Sequence, residues 1–195
     1  MRLIAPCKAI EFDAQSVNGA SVKLNDYQGK AILLCFFRDT ARPLQNRRVF
    51  ELTRNYKAWR KVGVEVIVVF NESQHEVNKF FAKHPRPFPV IADPELELYR
   101  KYGIERVVGQ SMVSPLLKLP SFIYKLFRGK LARFSPFGRI MPADFLINFD
   151  GIVVDTWYGK NELDHIPFER LEKFVMAMRV EMRKKVMSAS SSAAA

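Results

Sequence analysis

Two cysteines, three histidines and a knot of arginines are the side chains of this 195-residue chain that could do bond-making or ligand chemistry. An apolar run, Ala31 to Phe37, leads through the polar turn Arg38-Asp39-Thr40-Ala41 into a helix opened by Pro43. A helix start that follows a buried strand is where free backbone N–H groups lower a thiol pKa and make a nucleophilic thiolate. Sulfur is absent from that start. Its i, i+3 positions read Arg42 and Gln45, a permanent cation and a neutral amide, neither of which is a nucleophile. What remains there is positive charge, from Arg38, Arg42, Arg47 and Arg48. With the helix dipole these four could hold a small anion, such as a phosphate, a carboxylate or a glutathione-like acid; the alternative is that they pair with Asp39, Glu51 or solvent.

Cys35 is the sulfur nearest this turn, and it is the candidate nucleophile there. Its place in an apolar strand fits a small core residue better, because burial raises a thiol pKa. Cys7 lies near the N-terminal end and could oxidise, whereas a Cys7–Cys35 disulfide depends on a geometry that spacing does not fix. His75, His84 and His165 lack the spacing of metal ligands, so no metal is expected. Neither a phosphate-binding G-x-x-x-x-G-K-[ST] loop nor a G-x-G-x-x-G fingerprint occurs, and no cofactor is expected.

The elements that must position these residues follow from pattern. Asn18-Gly19 between Phe12 and Ser21-Val22-Lys23-Leu24 reads as an N-terminal hairpin. Ala31–Phe37 and Val64–Phe70 are continuous apolar runs suited to strands buried on both faces. Between them Pro43 to about Arg60 carries Leu44, Val49, Leu52, Tyr56 and Trp59 at helical spacing, giving a right-handed parallel crossover closed by Gly63. Asn71-Glu72-Ser73 caps a helix through Val77, Phe80 and Phe81. A short strand around Val90 ends at Asp93-Pro94, and a helix from Glu95 to Tyr102 stops at Gly103. Pro142–Phe149 and Ile152–Tyr158 flank Asp150-Gly151 as a second hairpin. A last helix is predicted over Phe168–Met187, and residues 188–195 read as a disordered tail.

The net charge of +11 is uneven: Arg106 to Ala143 contains no Asp or Glu. Within it Lys118, Lys125, Arg128, Lys130 and Arg133 interleave with Phe122, Tyr124, Phe127, Phe134 and Phe137, a mixture that suits an anionic membrane surface. Nucleic-acid grooves use the same mixture but are the less favoured partner, and the plainest reading is a helix packed by its apolar side with its cations in water. One or two short helices at the edge of the domain are expected there. No run approaches the ~20 apolar residues of a membrane span and no signal peptide is seen, so the expected location is cytoplasmic. Pairing with a second copy stays open.

Five segments, in order, resemble the peroxiredoxin-like (AhpC/TSA, redoxin) branch of the thioredoxin superfamily. Ala9-Ile10-Glu11-Phe12 resembles its A-P-D-F, and Val22 to Lys30 its V-x-L-x-D-Y-x-G-K. Phe88-Pro89-Val90-Ile91-Ala92-Asp93-Pro94 with Tyr102-Gly103 resembles F-P-L-L-x-D-P and a later Y-G. Pro142 to Ile147 with Asp150-Gly151 is similar to P-A-x-F-x-I-D-x-x-G, and Phe36-Phe37-Arg38 with Glu51-Leu52 is similar to the frame of the redox motif. The selenoprotein-L-like redoxins, with paired selenocysteine or cysteine at the helix start, resemble it most. The resemblance spans roughly Ala9 to Phe174. It implies a three-layer α/β/α thioredoxin fold with a central mixed sheet, an N-terminal β-hairpin, and a basic helical insertion (106–141) before the cis-proline strand. One domain, 1–187, would hold all of it. It also implies that Arg42 and Gln45 stand at the two redox positions and Pro142 at the cis-proline, where peroxiredoxins place a peroxide-binding arginine. The expected protein is a non-catalytic binding relative. The alternatives are an antioxidant thiol oxidoreductase or peroxidase using Cys35 or Cys7, and a peripheral binder of anionic surfaces.

Overall fold

The computed structural model describes residues 1–38, 40, 43–82, 85–104, 106–107, 139–161 and 163–193. The apolar runs that dominate the sequence become the two central strands. β4 (Ala31–Phe37) and β5 (Val64–Phe70) are buried at every position and pair in parallel, from Ala31 opposite Val64 to Phe37 opposite Phe70. Between them α1 (Pro43–Arg60) makes the crossover. Proline suits its first position because the missing N–H would have no partner there. β6 (Val90–Ala92) extends the sheet in parallel beyond β5. On the other side β9 (Ala143–Ile147), β10 (Ile152–Tyr158) and the edge strand β1 (Cys7–Lys8) add in antiparallel fashion, giving the order β1-β10-β9-β4-β5-β6. The sheet is therefore mixed, as expected.

Alternation along the central strands divides the core between the two faces of the sheet. Cys35, Phe37, Val66 and Val68 point toward α1, α2 (Gln74–Phe81) and α4 (Phe168–Ala193), where they meet Val49, Leu52, Val77, Leu171 and Phe174. Leu34, Phe36, Ile67 and Val69 point toward α3 (Glu97–Lys101) and the N-terminal hairpin, where they meet Tyr99, Tyr102, Phe12 and Val22. That hairpin pairs β2 (Asp13–Gln15) with β3 (Ser21–Lys23), and Gly19 takes the positive φ of 87° the turn needs. Each large apolar side chain so buried contributes about 1.5–3 kcal/mol against exposure. A short 3-10 turn, Leu24–Tyr27, leads from the hairpin to β4.

Local signals set the ends. Ser73 accepts a hydrogen bond from the Glu76 N–H at 3.3 Å and caps α2. Asp93 caps α3, accepting from the N–H groups of Glu97, Leu98 and Tyr99 at 2.9, 2.8 and 3.3 Å. Gly63 (φ 79°) ends α1 where a Cβ would lie 2.9 Å from the Phe149 ring.

Two expectations change, and a third lies mostly outside the described residues. The last helix continues to Ala193, so the tail is helical through that residue; its alanines and serines contain no glycine or proline to stop it, and alanine is the best helix former. Met141–Pro142 is not cis: the cis peptide bond among the described residues is Ala5–Pro6. Trans is the intrinsic preference of an X–Pro bond, and a motif match does not override it. The basic segment is seen only at its ends, where β7 (Arg106–Val107) and β8 (Arg139–Ile140) pair as an antiparallel ribbon. Lys118, Lys125, Arg128, Lys130 and Arg133, with the helices expected around them, lie outside the described residues. Among the described residues no helix is long and apolar enough to cross a membrane.

Candidate functional site

At the C-terminal end of β4 the chain turns toward α1, and this turn is tied down. Glu72, from the loop after β5, accepts from both the backbone N–H and the hydroxyl of Thr40, at 2.8 and 2.7 Å. On the opposite face the Tyr99 hydroxyl donates to the carbonyls of Phe37 and Val69, bracing the ends of both central strands. Arg42, one of the two expected redox positions, is outside the described residues; Gln45 lies in the first turn of α1.

Three of the four arginines expected to cluster, Arg38, Arg47 and Arg48, are among the described residues. Arg38 is half-buried in the turn. Arg47 and Arg48 lie on α1 and share one carboxylate: Glu51 is 3.2 Å from Arg47 Nε and 3.8 Å from Arg48 Nη1. Arg48 is buried and points its Nη2 inward, donating to the Ile166 carbonyl at 3.1 Å. Pairing with Glu51, one of the alternatives left open above, therefore holds for Arg47 and Arg48.

Beneath Arg48 lies a polar group inside the core that pattern reading missed. Asp144 on β9 is wholly buried and is the Cα partner of Cys35 on β4. Its carboxylate accepts from the Ile166 N–H at 2.7 Å and is 3.0 Å from His165 Nδ1. The imidazole in turn rests on the Phe37 ring, with centroids 4.5 Å apart. Burial pushes the Asp144 carboxyl up, but His165 and Arg48 outweigh it and hold it below its ordinary value. For Cys35 the balance runs the other way. Burial, and then the Asp144 charge, raise the thiol well above its ordinary value against a smaller opposing pull from Arg48. A thiol so placed stays protonated and poorly nucleophilic. The signal available in the sequence was the single acid inside Pro142-Ala143-Asp144-Phe145-Leu146-Ile147, and His165 just ahead of the last helix was its counterpart.

Cys7 sits on the edge strand β1, partly exposed, and both cysteines are free. Two strands separate β1 from β4, which puts them about 14 Å apart at the usual inter-strand spacing. A disulfide between them is ruled out without a large rearrangement. Among the described residues no group of His, Cys, Asp and Glu is arranged to hold a metal ion.

A mixed sheet flanked by helices, with a helix start facing the end of the central strand, defines a thioredoxin-fold protein of the peroxiredoxin-like type. Residues 6–156 match the AhpC/TSA family, and the chain belongs to that family. It is 24% identical over 159 residues to peroxiredoxin Bcp of Bacillus subtilis (strain 168), covering 82% of this chain and 87% of that protein. It is 29% identical over 98 residues to the thiol-disulfide oxidoreductase ResA of Halalkalibacterium halodurans, covering 50% of this chain and 55% of ResA. Among solved structures, a cysteine-to-serine mutant of PrxQ from Xylella fastidiosa superposes with a TM-score of 0.66 at 14% identity, over 89% of this chain and 94% of that one. Peroxidoxin BcpB from Mycobacterium tuberculosis gives 0.64 at 12% identity, over 90% and 96%.

Proposed function

We propose that this chain is a non-catalytic member of its family that works by binding. One observation carries the reading: Cys35, the sulfur closest to the helix start, is wholly buried, and that burial, then the neighbouring buried carboxylate, raises its pKa. The helix start itself has Arg42 and Gln45 where thiol chemistry would need sulfur. Peroxide reduction requires an accessible thiolate, and the position where the fold would activate one is empty of sulfur.

A second reading, a thiol-dependent oxidoreductase, draws support from the names of the relatives, peroxiredoxin and thiol-disulfide oxidoreductase. Its best remaining nucleophile is the partly exposed Cys7. Peroxide consumption with a general thiol reductant separates the two, comparing the unmodified chain with Cys7→Ser, Cys35→Ser and the double variant Arg42→Cys/Gln45→Cys. A silent unmodified chain beside a turning-over double variant is the expected result. Turnover in the unmodified chain that disappears in either serine variant would overturn the binding reading.

A further inference from the structure

A cleft of about 360 Å3 opens between the first half of α1 and the segment that leads into α4, with Arg47, Arg48, Glu51, His165 and Phe168 in its walls. That volume is at the lower end of the range for small-molecule sites. Two of its side chains are more than nine-tenths buried, Arg48 at 9% exposure and His165 at 6%. Each has one buried nitrogen without a hydrogen-bond partner, Arg48 Nε and His165 Nε2. Their other contacts fix how they are held. Arg48 donates to the Ile166 carbonyl and lies 3.8 Å from Glu51, and His165 Nδ1 is held by Asp144. Leaving a buried polar atom unpaired costs about 1–3 kcal/mol, so two orphans in the walls of one cleft call for a partner.

The chemistry of the orphans selects that partner. A guanidinium N–H only donates. The imidazole Nε2 donates to an anion when the ring is protonated and accepts a hydroxyl hydrogen when it is neutral. An oxyanion meets both demands, and Arg47 at the exposed mouth adds a second cation, with Glu51 the one acid opposing it among the described residues of the cleft. We infer that this cleft binds the oxyanion of a small molecule, a carboxylate or a phosphate, with Arg48 and His165 as the inner contacts and Arg47 as the outer one. The inference deepens the binding reading above, and it places the anion about a turn further along α1 than the helix start.

The test is a titration with inorganic phosphate, and separately with acetate, at constant ionic strength against chloride, following the His165 ring signal and the backbone amides by NMR. Saturable shifts of His165 together with residues 47–51 and 163–168 are expected, for phosphate, acetate or both, and the ion that saturates names the chemistry. Arg48→Lys should weaken the midpoint by about tenfold or more. Because that change removes a buried hydrogen bond and can unfold the chain, Arg47→Gln is run beside it and should weaken binding roughly threefold, the scale of an exposed ion pair. Linear, chloride-like responses to both ions would overturn the site, as would saturable binding left unchanged in a folded Arg48→Lys and in Arg47→Gln. Peroxide turnover by the unmodified chain would overturn the non-catalytic reading and leave this result standing. Failure of saturation would remove the site and leave that reading standing.

Discussion

Cys35 and Asp144 face each other across β4 and β9, and neither has any exposure to solvent. A thiol and a carboxylate set side by side in a core divide their proton unequally. The carboxylate has His165, Arg48 and the Ile166 N–H to stabilise its charge, while the thiol has burial and a neighbouring negative charge to suppress its own. The pair therefore rests as carboxylate and neutral thiol.

Thiol reagents should read this directly. In the native protein Cys7 is expected to react near neutral pH, and Cys35 at least about a hundredfold more slowly, since its modification waits for opening of the core. Thiol counting in Cys7→Ser isolates the slow site. Rapid native labelling of that variant would contradict the assignment of Cys35 to a closed core.

Acid stability depends on Asp144. Its folded-state pKa lies below the ordinary value of 3.8, so just below that value the unfolded chain binds the proton and the folded chain does not. The stabilisation is complete above the unfolded value and is lost as pH falls through the folded one. Asp144→Asn should cost on the order of 3 kcal/mol near neutrality by removing one partner of a buried pair. It should also flatten the acid limb of stability below about pH 4 in urea unfolding series. An unchanged acid limb would assign the pH dependence to other carboxylates.

Glu65, at the start of β5, is a second buried acid, held by the Tyr56 hydroxyl at 2.5 Å, Arg60 at 3.4 Å and Lys30 at 3.6 Å. Tyr56→Phe keeps the ring and removes the hydroxyl donor. A loss of about 1.5–3 kcal/mol is expected, the scale of a hydrogen bond to a charged group. Denaturant midpoints measure it at unchanged slope.

Ser73→Ala should destabilise the chain by about 1 kcal/mol, and Ser73→Asp should restore most of it, because either oxygen can accept the Glu76 N–H. Equal stability of the serine and alanine proteins would show that α2 is held by packing of Val77 and Phe81 alone.

The frame of this fold was legible because it rests on periodicity. Ala31–Phe37 and Val64–Phe70 appear as strands with the predicted bounds, and Pro43, Ser73 and Gly63 mark helix ends by backbone chemistry that acts locally. The interior polar group was not legible. Cys35, Asp144 and His165 are far apart in sequence, and only the β4–β9 register and the path of the chain into α4 bring them together. Edge strand β1 was missed for a related reason: two residues hold no period, and its pairing is decided by β10. The last helix ran long because a tail of small residues carries no stop signal, only a composition common in disorder.

The ribbon of β7 and β8 sets Arg106 beside Ile140 and Val107 beside Arg139. The ribbon thus acts as a clasp, holding residues 107 and 139 side by side by its own backbone pairing. A change in the number of residues between two ends so clasped adds little closure entropy, about 0.6 kcal/mol per doubling of length.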